Sequence, residues 1–369
     1  MADPESRAEQ ARRSLEAGLA RHRAGDPRSA EADYRRALEL APGLADAHHL
    51  LGLSLAQQGR AEEGIRELEA AIAAAPEAAA YHGNLAKLQA QLGRSEAAEA
   101  GYREALRLQP GDPDALYKLA ELLGRQRRLD EAILLLRRLA GQLPQDAAVG
   151  NALAATLLRA GRAAEALDLL DPLTAQHPGF AEAAHNRATA LADLGRLEAS
   201  EAAAAKAVEA DPGLSGAQWH LGLCRYDAGD LAAAAEAFRR AAACRPASPL
   251  AAPYLELTEA ELEGRAPAPS AGREETPEIA ALREAWDYRE AAGGAALPAF
   301  GFKASHLRHA LAACRLSGLY LEFGVYTGRS ITIIAEALSA SLGAETPVHG
   351  FDSYEGLPED WIAGEGKGA

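Results

Sequence analysis

The chain contains 369 residues with a formal net charge of −15, and an acidic chain without clustered Lys and Arg lacks the charge pattern of a nucleic-acid-binding protein. No apolar run approaches the ~18 residues that a membrane-spanning helix needs, and the charged N-terminal residues contain no apolar core of a secretory signal. These features predict a cytoplasmic protein without a nucleic-acid or membrane partner. The three cysteines have neither metal-ligand nor disulfide spacing, which indicates small buried hydrophobic residues.

A repeat of 34 residues begins near the N-terminus and continues to residue 248. A proline marks the end of each period, at positions 42, 76, 110, 144, 178, 212 and 246. A turn glycine, replaced once by Arg127, and two columns of Ala, Gly or Ser keep the same spacing. We therefore expect a short N-terminal tail (residues 1–10) and then seven repeats, at 11–44, 45–78, 79–112, 113–146, 147–180, 181–214 and 215–248.

Each period has the pattern of two helices joined by a turn. In the fourth repeat, Leu116, Leu119 and Leu123 form one apolar stripe at helical spacing, and Ile133 and Leu136 belong to a second stripe. The glycine column predicts a left-handed cap at the end of the first helix, and the proline column predicts the end of the second. The two columns of small residues are expected where the helices cross.

This pattern resembles the tetratricopeptide repeat, a helix–turn–helix unit of this length that stacks into a right-handed superhelix. The resemblance implies that a protein or peptide binds in a groove lined by the first helix of each repeat. Asn84 and Asn186 then occupy the position at which some members of the family hold an extended peptide by its backbone, with Lys87 and Lys118 nearby. An ordinary solvent-exposed face is the alternative for each of these side chains. Among the histidines of the first helices, His48 and His49 are adjacent and point apart, and the others are one or more repeats away, so we predict no metal site.

The chain changes character after the last repeat. Residues 249–263 are expected to form a capping helix, and residues 264–276 contain a linker rich in Pro, Ala and Gly. From residue 277 to residue 369 two helical stretches precede a change to strand periodicity, near 319–323 and 348–352. This segment is predicted to have a different, α/β fold.

Two motifs in this segment indicate a cofactor site. Glu322 ends an apolar strand, and Gly324 and Gly328 flank the turn that leads into an amphipathic helix. Such a turn needs glycine because its backbone passes close to a ligand. Asp352 ends the second strand, where doubly wound sheets carry the acid that binds ribose hydroxyls. A helix N-cap or turn residue is the alternative for Asp352.

These two motifs resemble the macrocin O-methyltransferase group of class I S-adenosylmethionine-dependent methyltransferases. The resemblance lies in residues 321–330 (Leu-Glu-Phe-Gly-Val-Tyr-Thr-Gly-Arg-Ser) and 350–361 (Gly-Phe-Asp-Ser-Tyr-Glu-Gly-Leu-Pro-Glu-Asp-Trp). It implies an S-adenosylmethionine site formed by Glu322, Gly324, Gly328, Ser330, Asp352 and Ser353. In that site the second motif would hold the ribose and the first would lie under the methionine part of the cofactor.

The expected fold is therefore mainly α: a seven-repeat solenoid followed by an incomplete, Rossmann-like methyltransferase segment. The catalytic base and the aspartates that bind a divalent metal such as Mg²⁺ in that group belong to later strands, beyond Ala369, so these 369 residues are expected to be inactive. The implied function is methyl transfer to oxygen on a sugar or other small molecule, with the solenoid recruiting a partner or the substrate. The alternative is a non-catalytic scaffold for protein–protein interaction.

Overall fold

The structure, a computed structural model, describes residues 4–248 and 251–263, and all regular secondary structure in these ranges is α-helical. The predicted linker after residue 263 and the predicted α/β segment lie outside the described residues. The described helices are α1 (Pro4–Arg23), α2 (Pro27–Leu40), α3 (Ala45–Gln57), α4 (Ala61–Ala74), α5 (Ala79–Gln91), α6 (Ser95–Leu108), α7 (Pro113–Arg125), α8 (Leu129–Gln142), α9 (Ala147–Arg159), α10 (Ala163–Gln176), α11 (Ala181–Asp193), α12 (Leu197–Ala210), α13 (Ser215–Asp227), α14 (Leu231–Ala243) and α15 (Ala251–Glu263).

In six of the described repeats the two helices pack on each other as a pair. The chain forms two compact units, unit 1 (Met1–Val149) and unit 2 (Gly150–Ala369). In unit 1 the pairs are α1–α2, α3–α4, α5–α6 and α7–α8; in unit 2, α11 packs on α12, α13 on α14, and α15 on α14. The predicted mainly helical repeat fold is thus confirmed for the described residues. Helix α1 begins at Pro4, upstream of residue 11, where the sequence predicts the first repeat to start.

The turn between the two helices of a repeat has a left-handed residue. Six turn glycines have positive φ angles, and Arg127 has the same conformation with φ 65°. Each turn is closed by two backbone hydrogen bonds: in the fourth repeat, Arg127 N donates to Gly124 O at 3.2 Å and Arg128 N donates to Leu123 O at 3.0 Å. The missing glycine therefore leaves the turn geometry unchanged, and an arginine adopts a conformation that favours glycine.

We expect Arg127→Gly to raise the free energy of unfolding by about 0.5–1 kcal/mol. The substitution removes the strain of an arginine in the left-handed conformation, and the greater entropy of glycine in the unfolded chain offsets only part of that gain. The matched control is Gly93→Ala, at the same position one repeat earlier, which should lower it by about 1 kcal/mol. Urea denaturation followed by circular dichroism measures both changes. A less stable Arg127→Gly protein would contradict this account of the turn.

Small residues allow the two helices of a repeat to approach to backbone contact. A Cβ atom on Gly52 of α3 would lie 2.8 Å from Gly64 O of α4, and one on Gly64 would lie 2.7 Å from Gly52 O. In unit 2, a Cβ atom on Gly222 would lie 2.5 Å from Cε1 of Phe238. The predicted helix crossings thus occur at the small-residue columns, and large side chains of the second helix fill the adjacent space.

Gly52→Ala should destabilise the protein by about 1–3 kcal/mol, because the added methyl group overlaps the backbone of α4. The control is Gly83→Ala in the first helix of the next repeat, where the new Cβ would lie 3.9 Å from Ala105 Cβ. That contact is ordinary, so this variant should be as stable as the parent or more stable by up to about 1 kcal/mol, the difference in helix propensity. Urea midpoints compare the two, and equal stability losses would show that the helix crossing does not require a glycine.

Buried glutamates link neighbouring repeats in unit 1. Arg60, at the start of α4, donates to Glu31 of α2 at 2.7 Å and to Glu63 at 2.5 Å. Arg128 makes the same pair of contacts with Glu99 at 2.7 Å and Glu131. Burial opposes ionisation of Glu31, but hydrogen bonds from Arg60 and Gln58 outweigh it and lower the pKa of that carboxyl. These links hold successive second helices in register.

Candidate functional site

First helices of neighbouring repeats lie side by side, with contacts between α1 and α3, α3 and α5, and α5 and α7 in unit 1, and between α11 and α13 in unit 2. We call the surface formed by the first helices of the repeats in each unit, α9 of unit 2 included, the first-helix face of that unit. Side chains 35 residues apart meet on it, one residue more than the repeat length. The pairs are His22–Gln57, Asp46–Tyr81, His49–Asn84 and Asn151–Asn186.

Asn84 is part of a connected set of side chains on the first-helix face of unit 1. Its Nδ2 atom donates to His49 Nε2 at 2.8 Å. The His49 ring stacks on Tyr81, with 4.5 Å between ring centroids and 28° between planes, and the Tyr81 hydroxyl donates to Asp46 Oδ1 at 2.5 Å. Four side chains from α3 and α5 thereby hold one another in place.

Burial keeps the side chains of His49 and Tyr81 uncharged in this set. Burial lowers the pKa of His49, with Asp46 acting weakly in the opposite direction, so the imidazole is neutral near pH 7. Burial and the hydrogen bond to Asp46 raise the pKa of Tyr81 to about 12, so its hydroxyl remains a donor. A neutral imidazole keeps one nitrogen as an acceptor, which the Asn84 contact requires.

Asn186 has an equivalent neighbour in unit 2. Its Nδ2 atom donates to Asn151 Oδ1 at 2.8 Å. Asn186 and Asn84 are both half-buried. Neither amide oxygen accepts a hydrogen bond from another described residue, so both oxygens are available to a ligand.

The two predicted lysines differ in their surroundings. Lys118 Nζ donates to Glu121 Oε2 at 3.1 Å and lies 5.6 Å from the centroid of the Tyr117 ring. Lys87 is exposed and forms no ion pair with the described residues. Of these two lysines, Lys87 therefore presents a positive charge without an ion-pair partner among the described residues, while the carboxylate of Glu121 offsets the positive charge of Lys118.

A buried polar cluster in unit 2 was missed by the sequence analysis. Ser200 Oγ donates to Ala188 O at 2.8 Å and lies 2.8 Å from His220 Nε2 and 3.7 Å from Cys224 Sγ. Burial lowers the pKa of His220 to about 3, with the charge of His185 a smaller cause, and burial raises the pKa of Cys224 to about 12. The serine proton is directed at a carbonyl and the thiol is un-ionised, so the cluster stabilises the core and lacks an activated nucleophile.

A signal for this cluster existed in the sequence. Ser200 is the one hydroxyl in a column of Ala and Gly, and a serine at a helix crossing needs a partner there. Cys224 is buried, as predicted, whereas Cys244 is partly exposed.

The described residues contain neither a metal-ion cluster nor a membrane-spanning helix. Within residues 4–248 and 251–263, no three His, Cys, Asp or Glu side chains are placed to share a metal ion. In the same ranges no helix has the length and apolar character to cross a membrane. The predicted S-adenosylmethionine residues lie outside the described residues: Glu322, Gly324, Gly328, Ser330, Asp352 and Ser353.

The repeats match a known family. The tetratricopeptide repeat family matches residues 15–79, 49–113, 84–147, 151–215 and 215–249. These matches cover more than half of the sequence, and the chain therefore belongs to the tetratricopeptide repeat family. No curated protein matches the chain.

Solved structures of repeat proteins share the fold. A tetratricopeptide repeat protein from Parabacteroides merdae is similar over 68% of this chain and 99% of its own, with 18% identity and a TM-score of 0.53. The C-terminal part of a repeat protein from Cytophaga hutchinsonii is similar over 65% of this chain and 99% of its own, with 14% identity and a TM-score of 0.53. Identities this low show the shared fold alone.

Proposed function

We propose that this protein is an interaction scaffold whose first-helix faces bind an extended peptide segment of a partner protein. The observation that carries the proposal is the arrangement of Asn84 and Asn186, each with an amide oxygen available on the first-helix face of its unit. An asparagine amide offers both an acceptor and a donor, which matches the N–H and C=O groups of an extended backbone. Membership of a family of stacked helical repeats supports the same proposal.

The charged side chains near Asn84 indicate which peptides bind best. Lys87 is exposed three residues after Asn84, so an acidic side chain next to the bound backbone gains an attraction. The carboxylate of Asp46 is exposed on the same face, but one of its oxygens already accepts a hydrogen bond from the Tyr81 hydroxyl. The chain as a whole carries a net charge of −15, which disfavours strongly acidic peptides at long range. A mainly neutral peptide with one or two acids is therefore the partner chemistry of this proposal, and the cytoplasmic location expected from the sequence is part of it.

The test is an array of unstructured 15-residue peptides of systematically varied sequence, followed by affinity measurement on those that bind. Asn84→Ala and Asn186→Ala should each weaken binding by about 3–10 fold, the value of one neutral hydrogen bond. Glu69→Ala and Glu198→Ala, at exposed positions on second helices, are controls that should leave affinity unchanged. Helical circular dichroism should be the same in all four variants. No binding by the parent protein, or full affinity in both asparagine variants, would contradict the proposal.

A second function, methyl transfer, is proposed on the sequence of residues 321–330 and 350–361 alone. Their resemblance to S-adenosylmethionine-dependent O-methyltransferases supports a cofactor site in which Glu322, Gly324 and Asp352 take part. When bound, that cofactor supplies the methyl group; the acceptor would be a sugar or another small molecule. In such a protein the repeats recruit the substrate or a partner, and without the activity the repeats act as the scaffold described above.

In a protein that carries the complete domain, Asp352→Ala should weaken S-adenosylmethionine binding by about 10–100 fold, because a charged acceptor of hydrogen bonds to the ribose is lost. Ser339→Ala, in the helix predicted from the sequence after the first motif, is the control and should bind normally. Isothermal titration calorimetry gives both affinities. Unchanged binding in the Asp352 variant would remove the basis for the second function.

A further inference from the structure

The hydrogen bonds of Asn84 and Asn186 determine which group each amide turns to the solvent. An asparagine amide can rotate by a half-turn, which exchanges its acceptor oxygen for its donor nitrogen. In both pairs the Nδ2 atom donates to the residue 35 positions earlier, to His49 Nε2 in unit 1 and to Asn151 Oδ1 in unit 2. The amide thus has the same orientation in both units, opposite a histidine in one and an asparagine in the other.

The acceptor in unit 1 is held in place by its own neighbours. The His49 ring stacks on Tyr81, and the Tyr81 hydroxyl is bound by Asp46. This arrangement fixes the plane of the imidazole and directs Nε2 at the asparagine of the next repeat. Lys118, at the equivalent position of the repeat after Asn84, has no such neighbour. The residue 35 positions before it is Gly83, which has no side chain to accept a hydrogen bond, and Lys118 pairs with Glu121 of its own helix instead.

We propose that His49 and Asn151 are positioning residues, each accepting a hydrogen bond from the asparagine of the next repeat and so presenting that amide oxygen to a backbone N–H of the bound peptide. This inference rests on the proposed peptide binding and adds a specificity to it. A peptide residue without an N–H, such as proline, is excluded at the contacted position. Binding therefore requires an extended segment that is not proline-rich.

Variants of His49 separate positioning from packing. His49→Phe keeps an aromatic ring for stacking on Tyr81 but removes the acceptor, so it should weaken binding to the peptide array by about 3–10 fold, as Asn84→Ala does. His49→Asn restores an acceptor of the kind present at position 151 and should recover most of the affinity. The reciprocal pair in unit 2 is Asn151→Leu, which removes the acceptor, and Asn151→His, which restores one.

A double-mutant cycle shows whether His49 acts through Asn84. In an Asn84→Ala background, His49→Phe should cause no further loss of affinity, and peptides with an N-methyl group at the contacted residue should bind no worse than unmodified ones. Additive losses, or parent-like affinity in His49→Phe, would overturn the proposal. Losses that His49→Asn fails to rescue would also overturn it, because they indicate a packing role.

A measurement without peptide distinguishes failure of this inference from failure of the proposed function. Nitrogen-15 NMR of the histidine rings should show His49 with its proton on Nδ1 in the parent protein and a shift of that proton towards Nε2 in Asn84→Ala. The His49→Asn spectrum identifies the resonance. If no peptide in the array binds but this tautomer is found, the amide orientation stands and peptide binding fails. An Nε2–H tautomer in the parent protein contradicts the positioning role whatever the array shows.

Discussion

The close approach of two helices at glycine and alanine determines the geometry of each repeat. At Gly52 and Gly64 the backbones of α3 and α4 are in contact, with no space for a side chain on either residue. The two helices can therefore pack at this crossing in one relative position only, because a shift along either helix would press a larger side chain against the backbone of the other. Each first helix therefore keeps a defined rotation relative to its second helix, and this rotation decides which side chains reach the first-helix face.

That defined rotation explains why polar side chains of neighbouring first helices meet in pairs. With each first helix fixed, residues 35 positions apart come within hydrogen-bonding distance on neighbouring helices, as His49 and Asn84 do. A different packing angle would separate them, although the sequence would be the same. The polar groups on the face are then held by their neighbours, which in the proposed function reduces the entropy cost of ordering them when a peptide binds.

Charge and polarity are distributed differently over the two surfaces of a repeat. Ion pairs such as Arg60–Glu31 join second helices of successive repeats, where they hold the stack in register. The first-helix face of unit 1 instead combines neutral hydrogen-bonding groups such as Asn84 and His49 with the exposed side chains of Lys87 and Asp46. In unit 2 a neutral His220 is hydrogen-bonded to Ser200 in the core. Neutral groups suit recognition of a peptide backbone because they do not pay the desolvation cost of a charge.

The sequence by itself determined the repeat, its helix pairs and its turns, because these depend on local rules that a period of 34 residues makes visible. It also identified the turn at Arg127 and the small-residue crossings, and it indicated Asn84 and Asn186 through family resemblance. Only the tertiary structure decided what those side chains contact. The contacts of Asn84 with His49, of Asn186 with Asn151 and of Ser200 with His220 each depend on distances between separate helices. Such distances follow from packing and side-chain rotamers, which no local pattern in a sequence specifies.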